Sequence, residues 1–246
     1  MLNDEHATKP SPRRVVRVIQ HETGEGPGLI EEALALEGVA CDVVRVDLGQ
    51  PVPAALGDAV GLVVLGGGMG VNEAGQRPHL VEERDLVKAA LGAGVPVLGT
   101  CLGSQILAWA LGASVRAAPA KEIGWFEVTP GPAAATDPLF APLPERFTTF
   151  HWHGDVFELP SGAVSLASSE RTAHQAFRHG DRAYGLLFHL EVTPVHVRSM
   201  VSACGAELRE AGVPGATLVD GAERWAGPAE AIAVPLFRRW AALLSA

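Results

Sequence analysis

VPVLGTCLGSQILAWALG, residues 95–112, is the stretch on which the fold turns. Its first five residues are apolar and read as a buried strand, and the segment after Gly103 has the spacing of a helix. Between them lies Gly99-Thr100-Cys101-Leu102-Gly103, a G-x-C-x-G turn from strand to helix. An elbow of this kind holds its central residue in a strained conformation that points out of the sheet. The turn is tight enough that a side chain on either flank would clash, which accounts for Gly99 and Gly103. The Cys101 sulfur is then expected at the N-terminus of the helix, where the dipole and free N–H groups favour the reactive thiolate. The alternative is a structural cysteine buried in a glycine-rich turn. The strand before it and the helix after it favour the nucleophile. Cys41 and Cys204 lack this setting and read as structural.

Outward from the elbow, strand-like and helical segments alternate on the N-terminal side. Residues 15–19, 41–46 and 59–65 are apolar and β-branched, while residues 29–36 and about 79–91 have helical spacing, the first with Gly38 as a stop. This alternation predicts right-handed βαβ units, hence an α/β fold with a mostly parallel central sheet covered by helices on both faces. After Leu111 the pattern changes. Residues 122–130, 145–152, 163–169, 174–180 and 182–190 are short strand-like runs joined by turns, and predict an antiparallel or mixed extension of the sheet. A helix is expected from Pro194 to about Ala211, and an amphipathic closing helix over residues 229–246, kinked or broken at Pro235. Residues 1–12 read as a loose tail and residues 13–246 as a single domain.

The bulk numbers narrow the function classes. The 246 residues, 48% hydrophobic, can bury one sizeable core. A net charge of −9 gives no affinity for a phosphate backbone, so no nucleic-acid partner is expected. No stretch approaches the length of a membrane span, and the polar N-terminus is unlike a secretory signal. Three well-separated cysteines argue against a disulfide framework and against a cysteine-rich metal site. A soluble cytoplasmic protein with free thiols, no membrane partner, no metal and no cofactor is the expectation.

A reactive cysteine needs a histidine, and the histidine an orienting group. Residues 185–194, GLLFHLEVTP, supply both: an apolar strand ends in His189-Leu190-Glu191 just before a helix. On extended backbone, residues two apart point to the same side, so Glu191 can accept from one ring nitrogen while the other takes the thiol proton. The competing reading is a strand-end histidine beside a helix-initiating glutamate.

Four motifs occur in order: GGGMGVNE (66–73), GTCLGSQ (99–105), HWHGD (151–155) and FHLEVTP (188–194). With them the chain resembles the class I, triad-type glutamine amidotransferases, most closely stand-alone domains similar to the glutaminase part of GMP synthase. The resemblance spans about Val15 to Ala211. It implies a flavodoxin-like fold, glutamine or a γ-glutamyl compound as substrate, and a Cys101–His189–Glu191 triad. It also implies oxyanion donors at Gly67, Gly68 and Leu102, and substrate contacts at Gln105, His153 and Asp155. Taken alone, these residues also fit blander roles: a tight turn at Gly67-Gly68, a helix-surface glutamine at Gln105, and a Gly-Asp turn at Asp155.

Two departures stand out. The family often has Gln-Phe-His-Pro-Glu where this chain has Leu187-Phe188-His189-Leu190-Glu191. A GMP synthase carries an ATP pyrophosphatase domain after its glutaminase, whereas this sequence ends at Ala246, and no P-loop pattern occurs in it. The expected activity is hydrolysis of the glutamine γ-amide through a γ-glutamyl thioester, with ammonia passed to a separate synthetase or ligase. A free-standing γ-glutamyl conjugate hydrolase or transferase is the alternative. A catalytically silent regulatory module on the same fold is the rival from another class, and the complete triad argues against it.

Overall fold

The computed structural model describes residues 14–245, so the tail expected over residues 1–12 lies outside the described residues. Five strands form a parallel half: β1 (Arg14–Gln20), β2 (Val39–Arg45), β3 (Gly61–Val64), β4 (Val97–Thr100) and β9 (Ala183–Leu186). Four more add an antiparallel half: β5 (Val115–Pro130), β6 (Phe147–Phe157), β7 (Ala163–Ser168) and β8 (Ala176–His179). The order across the sheet is β2-β1-β3-β4-β9-β8-β7-β5-β6, so the expected α/β architecture with an antiparallel extension is what the chain adopts.

Period-2 alternation explains why both faces are covered. Val16 and Val18 of β1 and Val63 of β3 face one side. There they pack with Leu29, Ile30 and Leu34 of α1 (Leu29–Leu36) and with Phe237 and Trp240 of α6 (Gly215–Ala242). Leu62, Val64 and Ile19 face the other side, against Leu86 and Val87 of α2 (Pro78–Gly92) and Ile106 and Leu107 of α3 (Leu102–Ala110). A third cluster joins Ile123, Phe150 and Trp152 of the β5–β6 hairpin to Val197 and Met200 of α4 (Pro194–Ala203), Leu208 of α5 (Gly205–Ala211) and Leu218 of α6.

Three expectations change in detail. The helix expected from Pro194 to about Ala211 is two helices divided at Cys204. The closing helix begins at Gly215 and runs through both Pro228 and Pro235 to Ala242. Each proline removes one backbone donor, but Ala229, Ala233, Leu236, Phe237 and Trp240 form a continuous buried stripe that keeps the helix docked. The strand expected over residues 182–190 ends at Leu186. Among the described residues no helix is long and apolar enough to cross a membrane.

Candidate active site

Cys101 is the only non-glycine residue with positive φ among the described residues, at 47°. Its backbone is over-determined, as a strained position must be. Its N–H donates to the Leu186 carbonyl at 2.8 Å, and its carbonyl accepts from Ser104 N at 3.0 Å, Gln105 N at 3.2 Å and Ser104 Oγ at 2.6 Å. A Cβ at Gly99 would run into the Gly103 backbone, and one at Gly103 into the Val64 carbonyl. The elbow is therefore pressed against β3, and α3 starts immediately after the sulfur. The thiol is 5% exposed and faces the Trp152 carbonyl at 3.4 Å.

The segment carrying His189 leaves the sheet after Leu186 and is pinned to β6. His189 N–H donates to the Phe150 carbonyl at 2.7 Å, and Thr149 Oγ1 donates to the His189 carbonyl at 2.7 Å. His189 Nδ1 lies 2.7 Å from Glu191 Oε1, both side chains being buried. Nε2 has no hydrogen-bond partner, and the Cys101 thiol lies within electrostatic reach of the ring. Burial works against a charge on His189, but Glu191 and Cys101 outweigh it and raise its pKa well above the ordinary histidine value. Burial pushes the Cys41 thiol up to about 12 and also raises that of Cys204.

A cleft of roughly 500 Å³ opens over the sulfur, and Gly67, Gly68, Leu102, Gln105, His153 and Asp155 all line it. Gln105 is buried rather than on a helix surface, with Nε2 3.4 Å from the Asp155 carbonyl. His153, Gly154 and Asp155 lie within β6, not in a turn. Burial raises the Asp155 pKa and Glu73 adds to the rise, with Lys121 opposing them. Burial lowers His153 to about 4 against the opposing pull of Glu122, and lowers His151 well below the usual range, so both rings are neutral at pH 7.

Several residues around the site were silent in the sequence. Glu25, from the loop read only as turn-rich, lines the cleft, and burial raises its pKa. Glu207 and Lys121 form an ion pair at 2.5 Å across the cleft mouth. Burial pushes Glu207 up, but its bonds to Lys121 and Trp152 outweigh that and lower its pKa. Cys204, read as structural, also lines the cleft. Beneath the glycine loop, His21 Nδ1 lies 2.9 Å from the Gly66 carbonyl and Nε2 lies 2.8 Å from Glu83 Oε2, with both side chains wholly buried. A carbonyl can only accept, so Nδ1 carries a proton. Burial alone would lower the His21 pKa, but Glu83 and the Gly66 carbonyl outweigh it and raise the pKa from the ordinary histidine value, so these contacts favour the charged ring.

The chain has relatives. The class-I glutamine amidotransferase family model matches residues 28–203. A glutamine amidotransferase-like protein of Salmonella typhimurium, YfeJ, is 32% identical over 199 residues, covering 80% of this chain and 83% of that protein. The glutamine-hydrolyzing GMP synthase of Thermomicrobium roseum is 33% identical over 201 residues, which are 80% of this chain but 35% of that enzyme. This chain thus spans about a third of that relative's length. The crystal structure of a glutamine amidotransferase from Thermotoga maritima superposes with a TM-score of 0.84 at 32% identity, covering 93% of this chain and 98% of that one. The chain belongs to the class-I glutamine amidotransferase family.

Proposed function

We propose that the protein hydrolyses the γ-amide of glutamine, with Cys101 as nucleophile, His189 as acid–base group and Glu191 as its orienter. The observation that carries this reading is the 2.7 Å contact between His189 Nδ1 and Glu191 Oε1, which turns the unpartnered Nε2 toward a cysteine strained into a nucleophile elbow. In the first half-reaction Sγ attacks the amide carbon, and His189 delivers a proton to the departing nitrogen, so that ammonia leaves and a γ-glutamyl thioester remains. In the second, His189 takes a proton from water, the hydroxide adds to the thioester carbon, and glutamate and the free thiol are regenerated. The tetrahedral oxyanion of each half needs donors. The Leu102 amide, in the first turn of α3, has no carbonyl ahead of it in the helix, and Gly67 and Gly68 supply the facing loop. Gln105, His153 and Asp155 are assigned to the substrate's amino-acid end, with Asp155 for the ammonium.

A diazo-ketone glutamine analogue is expected to label Cys101 and spare Cys41 and Cys204, with activity lost in step; labelling of either other thiol in step with inactivation overturns the assignment. A second substrate reading has its own support. Roughly 500 Å³ is the size of a pocket for ligands larger than glutamine, which suits γ-glutamyl amides of bulkier amines. Fast turnover of such amides by the isolated protein, with kcat of about 1 per second or more, favours this second version. Slow turnover of every amide, rising when a synthetase is added, favours ammonia transfer to a separate subunit.

A further inference from the structure

Behind the cleft, the β5–β6 pair sets Glu122 directly opposite His153. His151 lies two residues along the same extended strand and therefore on the same face. One nitrogen from each ring and one Glu122 carboxylate oxygen all fall within 4.8 Å of one another, and all three residues are buried. Neither ring nitrogen of His151 has a hydrogen-bond partner. A buried polar atom left unsatisfied costs about 1–3 kcal/mol, so the His151 ring calls for an occupant.

We propose that Glu122, His151 and His153 form a binding site for a first-row divalent cation of the Zn2+ type. Two neutral imidazoles and one carboxylate suit such an ion, whereas Ca2+ and Mg2+ prefer all-oxygen shells. His153 Nε2 and Glu122 Oε2 are 3.4 Å apart. Two ligands of a tetrahedral Zn2+ with bonds of about 2.0 Å are separated by roughly 3.3 Å, so this edge is already at the right length. The His151 ring closes the third position by rotation. Glu122 is also held as metal-ligating carboxylates are, accepting from Ser169 Oγ at 2.7 Å, Thr172 Oγ1 at 2.5 Å and Gln175 Nε2 at 2.9 Å. Glu122 also lines a separate surface pocket of about 360 Å³, and His153 lines the catalytic cleft. Held there, the ion ties β5 to β6 and shares His153 with the cleft.

The test uses the full chain carrying Cys101→Ser, so that the thiol beside His189 cannot hold the probe. Equilibrium dialysis against Zn2+ is expected to show one tightly bound equivalent per chain. Co2+ is expected to give a d–d spectrum of nitrogen and oxygen ligands without sulfur charge transfer. Adding His151→Gln is expected to weaken Zn2+ binding by about 100-fold or more and to abolish the rise in Tm that saturating Zn2+ gives the parent. Glu122→Gln serves as the second variant, with far-UV circular dichroism confirming the fold of each. No stoichiometric Zn2+ in the Cys101→Ser protein would mean that water fills the space, and overturns the proposal. So does binding unchanged by both folded variants, or tight binding that appears only when Cys101 is present. If neither variant folds, the Co2+ spectrum of the Cys101→Ser protein decides: imidazole–carboxylate ligation supports the site, and any other ligand set overturns it.

Discussion

Replacing His21 with leucine removes the imidazole from a His–Glu pair whose side chains are both 0% exposed. Glu83 is left without its 2.8 Å partner, and its Oε1 already lacks one. The Gly66 carbonyl loses its 2.9 Å donor in the same stroke. Breaking a buried pair of this kind from one side costs about 3–5 kcal/mol, so a loss of about 4 kcal/mol is expected. Urea unfolding followed by circular dichroism, at constant m, reads it directly. The double replacement His21→Leu/Glu83→Leu leaves no buried charge behind and is expected to recover most of the loss. Activity carries the second readout, because Gly66 leads into the proposed oxyanion loop. A misplaced donor there is expected to lower kcat by about 10²–10³ with little change in KM. A cost under 1 kcal/mol for His21→Leu, or a double variant no more stable than the single, would refute the clamp.

Other substitutions test neighbouring parts. Gly103→Ala forces a Cβ onto the Val64 carbonyl, a backbone group that cannot swing aside, and is expected to cost at least about 1–3 kcal/mol and most of the activity, read by unfolding and by ammonia release. His189→Ala is expected to lower kcat by about 10²–10⁴, and Glu191→Gln by less, since the carboxylate only positions and stabilises the ring; the reverse order in steady-state assays would exchange their roles. The raised His21 pKa predicts a pH-linked share of stability that is fully present below 6.5 and lost as pH rises through the higher folded value. Urea midpoints of the wild type, referenced to His21→Leu, are therefore expected to converge as pH climbs above 6.5, and a gap that widens instead would contradict the shift.

How much of this was legible in the sequence follows from the range of the forces involved. The elbow could be read because its constraints are local. Gly99 and Gly103 are dictated by contacts within four residues of chain and one neighbouring strand, and the continuous apolar runs of β1, β3 and β4 follow from burial on both faces. His189 and Glu191 could be read for a related reason, being two residues apart and in contact. The rest depends on pairings that no window contains. His21 meets Glu83 across 62 residues, and Glu122 meets Gln175 across 53. Glu25 reaches the cleft only because the loop after β1 folds back over it. The length of α6 was hidden by Pro228 and Pro235, whose local cost is outweighed by a buried stripe that forms only once the sheet exists. The same asymmetry bears on chemistry: the groups that would move protons and electrons lie close in sequence or in marked motifs, while the groups that set their positions and charges are recruited from across the sheet. His21 and Glu83 hold the loop beside the sulfur from beneath, and Glu122 sits behind His153 on the neighbouring strand. Substitutions at these distant positions are therefore where relatives with the same motifs are expected to diverge in rate and in substrate.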